Sequence, residues 1–237
     1  MAEARATLIL LPGLDGTDIF FRPLLAALPS WIDARCVQYD AAGPHDYLDL
    51  LSVVRDACRS CKDFFVLGWS FSGPLALMLA AESPPGLRGV LLCASFISPP
   101  WPFIRVLRGV TTASVASLFP FLSQALALFG RYSSDQFRKD RGEYCARVPT
   151  SVLAARARTI FGMDRRPKLA CRVPLLYVRG SADIVVPFWN ARAVSRAIPS
   201  ARVVSIDGPH LALYTNPAKA ADVIAQFIRQ QLGERDG

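Results

Sequence analysis

The sequence predicts an α/β chain: a mostly parallel sheet with helices on both faces, interrupted by one long helical insertion. Three observations carry this reading. Short, continuously apolar runs recur, such as Thr7–Leu11, Phe64–Leu67 and Leu87–Ala94, and strands buried on both faces require runs of that kind. Helical stretches separate them, so strand and helix alternate at short spacing. The alternation then stops near Ser98 and resumes only at Pro174. With 237 residues, 52% of them apolar and 19% charged, the chain can bury a large core and is not a disordered one.

Taken in order, Thr7–Leu11 is a buried strand ended by Pro12 and Gly13, and Pro12 to Asp18 form a turn. A helix runs from Ile19 to Leu28 and stops at Pro29, which cannot continue it. Ala34–Tyr39 is a second strand and Tyr47–Arg59 a helix. Phe64–Leu67 is a strand that turns at once into the helix Pro74–Ala81, and Leu87–Ala94 is the next strand. Beyond the insertion come the strand Pro174–Val178, a helix Phe188–Ile198, the strand Arg202–Ile206 and a final helix Pro217–Leu232. Residues 1–97 and 171–237 thus form the sheet core, and 98–170 a helical cap.

Within 98–170, Phe103, Val106, Leu107 and Val110 form one helical stripe, and Phe121, Leu122, Ala125, Leu126 and Phe129 another. A third helix runs from Pro149-Thr150-Ser151 to Phe161. Residues 99–170 carry twelve Lys or Arg against four Asp or Glu, while the rest of the chain has fifteen of each. The whole excess of +8 therefore lies in the insertion. A basic surface of this kind suits an anionic carrier protein, coenzyme A or an acidic lipid surface. No motif supports nucleic acid. The simpler reading is a small cap core with its arginines on solvated faces.

The opening apolar run is too short for an export signal, and no apolar stretch is long enough to span a membrane. A cytoplasmic location is the expectation, with six reduced cysteines rather than disulfides. Cys58-Arg59-Ser60-Cys61 is formally C-x-x-C, but it falls in a helical pattern without a second pair. With two histidines in the chain, no metal site and no cofactor are expected.

The chemistry is concentrated where the strand Phe64–Leu67 meets its helix. Gly68-Trp69-Ser70-Phe71-Ser72-Gly73 places Ser70 on a turn of small residues, where close backbone approach forbids bulk. The G-x-S-x-G spacing is met except that Ser72 holds the second glycine position and Gly73 follows. A serine needs a base and a group to orient that base. His210, the one histidine after Ser70, follows the last strand in Asp207-Gly208-Pro209-His210. Asp183, in Arg179-Gly180-Ser181-Ala182-Asp183, follows the preceding strand. Backbone N–H groups of Phe71 and of Leu14, in the turn after the first strand, are the candidate oxyanion donors.

With those residues in hand, the chain resembles the serine α/β-hydrolases, in particular the small capped esterases, over nearly its whole length. Gly68-Trp69-Ser70 resembles the elbow of the esterases that demethylate pimeloyl carrier protein, and Arg172–Asp183 resembles the acid-bearing stretch. Three departures stand out. Pro12 stands where the family usually has His, Ser72 replaces an elbow glycine, and Ala41-Ala42-Gly43-Pro44 lacks a frequent arginine. The hairpin that often opens the family is not seen before the first strand.

The resemblance implies a serine hydrolase of carboxylic esters or thioesters, with Ser70 as nucleophile, His210 as base and Asp183 as the acid that orients it. Trp69, Trp101, Phe103, Phe119 and Phe121 are candidate substrate contacts, with an apolar cap underside covering an acyl chain. Acyl transfer runs on the same triad, and a hydrolase-like binding or receptor module keeps the fold with little turnover.

Overall fold

The computed structural model describes residues 6–43, 45–101, 103, 134–163 and 171–233. Among these residues six strands form one sheet: β1 (Ala6–Leu11), β2 (Ile32–Cys36), β3 (Phe64–Trp69), β4 (Leu87–Cys93), β5 (Leu175–Gly180) and β6 (Arg202–Ile206). They lie in the order β2-β1-β3-β4-β5-β6, and all five pairings are parallel. The order reverses direction at β1 and β3, the switch point where open α/β sheets place their sites.

The helices that bridge these strands are α1 (Arg22–Ala27, entered through a tight 3₁₀ turn Ile19–Phe21), α2 (Tyr47–Cys58), α3 (Gly73–Ala81), α4 (Asp135–Arg147), α5 (Thr150–Phe161), α6 (Trp189–Ala197), α7 (Ala212–Thr215) and α8 (Pro217–Gly233). Strand side chains alternate between two cores. Leu8, Leu10, Phe65, Leu67, Leu91, Leu176 and Val178 meet Leu24 of α1 and Ile224, Phe227 and Ile228 of α8. Ile9, Leu11, Phe64, Val66, Val90, Leu92 and Tyr177 meet α2, α3 and Val194 of α6 on the other face. The sheet is covered on both faces, which is why its central strands read as unbroken apolar runs.

Two elements differ from the sequence expectation. β2 begins two residues before Ala34 and ends at Cys36, because its register is set by Ala6 opposite Ile32 and Leu10 opposite Cys36. As an edge strand it alternates between shielded and exposed residues, so a search for a continuous apolar run misplaces it. α4 was not singled out by pattern, because only Phe137, Asp140 and Tyr144 are buried on it. It is held by an N-cap, Ser134 Oγ accepting from Phe137 N–H at 3.0 Å. The stripes from Val106 to Val110 and from Phe121 to Phe129 lie outside the described residues.

α4 and α5 fold onto the sheet domain through a small third core, in which Tyr144, Val148, Val152, Leu153 and Ala154 surround Ile19, with Leu14 against them. Polar contacts reinforce this seat. Arg22 makes a two-pronged pair with Glu143 at 2.6 and 2.7 Å, and Tyr214 donates to the buried Asp140 at 2.7 Å. The Arg22 guanidinium pulls the Glu143 carboxyl down to about 2. Two of the insertion's arginines are paired: Arg138 with Asp135, and Arg147 with Glu143 and with Asp18 of the sheet core. Among the described residues no helix is long and apolar enough to cross a membrane.

All six cysteines are free thiols, and Cys145 on α4 is the exposed one. Burial pushes the thiols of Cys36 and Cys58 up to about 12 and that of Cys93 well above its usual range. A thiol-specific chromogenic reagent at neutral pH will therefore label Cys145 rapidly. Cys58 and Cys93 will react only on unfolding. The fastest phase will vanish in Cys145→Ser, leaving slower labelling of the partly exposed Cys36, Cys61 and Cys171, and labelling of Cys58 or Cys93 in the folded protein would contradict the burial described.

Candidate active site

Ser70 sits where β3 turns into α3, with φ at 49°. A non-glycine residue in the left-handed region is strained unless its surroundings hold it there. Ser95, fully buried just past β4, does so by donating its hydroxyl to the Ser70 carbonyl at 2.6 Å. Ser95 is itself clamped by Tyr177, which receives the Ser95 N–H at 3.1 Å and donates to its carbonyl at 2.5 Å.

The glycines of the elbow follow from crowding. A Cβ at Gly68 would lie 2.8 Å from Gly73 Cα, and one at Gly73 would lie 2.6 Å from Ser95 Cβ and collide with its hydroxyl. Position 72 faces no such demand. Its serine has φ −89°, is fully buried, and bonds Tyr39 Oη at 2.7 Å and the Pro12 carbonyl. Two of the departures seen in the sequence thus touch each other: Ser72 holds the backbone at Pro12.

Beyond β5 and β6 the two remaining loops are zipped together. Ser181 N–H donates to Ile206 O at 2.8 Å and Ala182 N–H to Gly208 O at 2.9 Å. Gly180 lies so close to the second loop that a Cβ there would lie 2.6 Å from Gly208 O. Asp183 accepts from Val185 and Val186 N–H, each at 2.9 Å, on one oxygen. His210 Nδ1 lies 3.0 Å from the other oxygen, and His210 Nε2 lies 2.9 Å from Ser70 Oγ. The Asp183 side chain is 1% exposed and that of His210 15%, so the carboxylate is buried but hydrogen-bonded, as a buried charge must be. Asp183 at Nδ1 favours the tautomer with its proton there, leaving the Nε2 lone pair to face the serine. The structure brings Ser70, Asp183 and His210 into one hydrogen-bonded line.

The turn from Pro12 to Gly16 is fixed carbonyl by carbonyl. Pro12 O accepts from Ser72 Oγ, Gly13 O from Gly16 N–H at 3.1 Å and Gly16 O from Tyr39 N–H at 2.9 Å. Leu14 O and Asp15 O both accept from Arg156 Nη1, at 3.0 and 2.8 Å. The Leu14 N–H itself has no acceptor among the described residues. Phe71 N–H, second in the 3₁₀ turn Ser70–Ser72, precedes the first intrahelical bond and is likewise left open. Leu14 and Phe71 thus each keep a backbone N–H with no acceptor among the described residues.

The aromatic candidates divide. Trp69 is buried in the core, its ring 5.1 Å from Phe21. Phe71 is buried and stacks on Tyr47 at 4.9 Å. Trp101 packs edge-on against Trp189 at 4.9 Å and donates its indole N–H to Val185 O at 3.1 Å, on the loop that carries Asp183. Phe103 leans on Trp101 and is 67% exposed. Phe119 and Phe121 lie outside the described residues. Among the described residues no group of side chains could hold a metal ion.

Arg156 was missed in the sequence. The simple reading put the insertion's arginines on its outside, yet Arg156 is the largest fully buried side chain described. Its position offered a signal: it lies four residues after Val152 and three after Leu153, on the apolar stripe of its helix.

A parallel sheet with a serine on its elbow, and an acid and a histidine beyond later strands, is the architecture of the α/β hydrolases. Residues 8–223 match the alpha/beta hydrolase family, and the chain belongs to it. RutD of Azorhizobium caulinodans, a carbamate hydrolase by name, is 25% identical over 255 residues, which cover 98% of this chain and 93% of that protein. The pimeloyl-[acyl-carrier protein] methyl ester esterase of Aeromonas hydrophila is 26% identical over 177 residues, 69% of each chain. Among solved structures, an esterase from Exiguobacterium antarcticum superposes with a TM-score of 0.79 at 16% identity, over 95% of this chain and 92% of that one. The last likeness is one of fold.

Proposed function

We propose that this protein hydrolyses carboxylic esters or thioesters through an acyl-serine intermediate. The observation that carries the reading is the unbroken line from Asp183 through His210 to Ser70, with spacings of 3.0 and 2.9 Å. Ser70 Oγ attacks the acyl carbon while His210 Nε2 takes its proton, and the carbonyl oxygen becomes an oxyanion held by Leu14 and Phe71 N–H. The imidazolium, oriented by Asp183, returns the proton to the leaving group. Water then attacks the acyl-serine with His210 again as base, releasing the acid and freeing Ser70.

The methyl ester esterase relative supports an ester carbonyl, and RutD supports testing a carbamate beside it. We further read residues 98–170 as a cap over this site, on the support of α4 and α5 packed beside Leu14. The excess charge of that segment favours acyl groups on an anionic carrier.

The test is turnover of p-nitrophenyl esters from acetate to palmitate, of matched thioesters and of a p-nitrophenyl carbamate. Labelling by a fluorophosphonate, located by peptide mass, runs beside it. Turnover with Ser70 as the labelled residue is expected, and the preferred acyl length reports the room beside the serine. An enzyme inert on every series and unlabelled at Ser70 would leave the binding-module reading in its place.

A further inference from the structure

Resting on the acyl-serine reading, we propose that Arg156, although it belongs to the insertion and not to the sheet, is a positioning residue for the oxyanion hole. It sets the Leu14 peptide from behind, so that the insertion is a working part of the catalytic machinery.

The geometry of the turn carries this. In a trans peptide the N–H and C=O of one plane point opposite ways. Gly13 O is held inward by Gly16 N–H, so the Leu14 N–H of the same plane points outward. The next plane is fixed by Arg156, which binds Leu14 O at 3.0 Å and Asp15 O at 2.8 Å through a single nitrogen. Leu14 is therefore locked on both sides, one lock local and the other reaching across from α5. The second guanidinium nitrogen donates to Tyr39 O at 3.3 Å. Tyr39 in turn bonds Ser72, beside the nucleophile. Arg156 thus ties the oxyanion turn to the structure beneath the elbow.

The turn is shaped around the guanidinium. Gly16 has φ +72°, and a Cβ there would collide with Arg156 Nη1 and lie 2.9 Å from Cζ. Burial lowers the arginine's affinity for its proton, and the charge of Asp15 close by opposes this only in part. Burial likewise lifts the Asp15 carboxyl above its ordinary range, against hydrogen bonds from Thr17. A buried cation is a costly way to fill space, and Arg156 Nε finds no acceptor among the described residues. Methionine would fill the volume without that cost. What the arginine adds is the grip on two consecutive carbonyls.

The experiment compares wild type, Arg156→Met, Arg156→Lys and, as a control on the same helix, the exposed Arg158→Met. Each is followed by kcat and KM on the best p-nitrophenyl ester and by the rate of fluorophosphonate labelling at Ser70. Circular dichroism reports folding. Losing one oxyanion donor, or shifting it by about an ångström, costs on the order of 100-fold in rate. Arg156→Met is accordingly expected to lose about 100-fold in kcat with KM changed less than about threefold, and to label Ser70 more slowly in step. Arg156→Lys, which keeps the charge but grips one carbonyl, is expected to recover about tenfold of that loss. Arg158→Met should match wild type.

A folded Arg156→Met with wild-type kcat overturns the proposal. Should that variant fail to fold, Arg156→Lys decides: wild-type kcat there overturns it equally. A wild type that neither turns over nor labels at Ser70 fails at the acyl-serine reading itself, a result distinct from either.

Discussion

His210→Ala will lower kcat by about 10⁴- to 10⁶-fold on any ester the wild type hydrolyses, with little change in KM or melting temperature. Among the described residues Ser70 Oγ has one proton acceptor in reach, His210 Nε2 at 2.9 Å, and without it the hydroxyl must attack protonated. Ser70→Ala should fall to the same residual rate, and the double variant no further, because the two groups act as one unit. What survives in all three is the contribution of the backbone donors and of binding. Asp183→Asn is expected to lose about 10⁴-fold. The asparagine oxygen can still receive Val185 and Val186 N–H, but its amide no longer balances an imidazolium. Steady-state kinetics on the four variants read this directly. Losses that multiply in the double variant would mean that Ser70 and His210 act in separate steps, and the acyl-serine mechanism would fall. More than one per cent of wild-type turnover in His210→Ala would mean that another group is the base.

Much of the architecture was legible because the central strands are buried on both faces and announce themselves as apolar runs. β1, β3, β4, β5 and β6 all lie where the residues put them, within a residue or two. Legibility failed where burial is one-sided or polar. β2 alternates at the sheet edge and lies two residues earlier at its start and three at its end than the sequence suggests. α4 turns to the core a stripe that includes Asp140, satisfied by Tyr214 and Gln136, and no hydrophobic pattern finds such a helix. For the site, the strand-end positions of Asp183 and His210 pointed to residues that the structure brings within hydrogen-bond distance of one another, with His210 also within that distance of Ser70. The support around them was not legible, since the links Ser95 to Ser70, Ser72 to Pro12 and Arg156 to Leu14 span 25, 60 and 142 residues. Contacts at that separation depend on topology, which no local pattern contains.

Gly73→Ala will destabilise the protein by about 2–3 kcal/mol, a drop of roughly 5–10 °C in melting temperature for a chain of this size. Activity will fall with it. The added methyl lands 2.6 Å from Ser95 Cβ and on the Ser95 hydroxyl. Rotating the hydroxyl away cannot relieve the contact with Cβ. Tyr177 holds the Ser95 backbone on both its N–H and its carbonyl, so the elbow must give instead. That moves Ser70, whose carbonyl depends on the same hydroxyl. Ser95→Gly in the Gly73→Ala background removes both colliding atoms and should return part of the melting temperature, though Ser70 O still lacks its donor. Ser72→Gly in that background restores the usual G-x-S-x-G spacing, yet it should make matters worse. It relieves no contact at position 73 and strips Tyr39 and Pro12 of a buried partner, at about 1–3 kcal/mol. The displaced glycine thus answers to Ser95, just past the neighbouring strand, and not to the motif. Rescue by Ser72→Gly and not by Ser95→Gly would reverse that assignment.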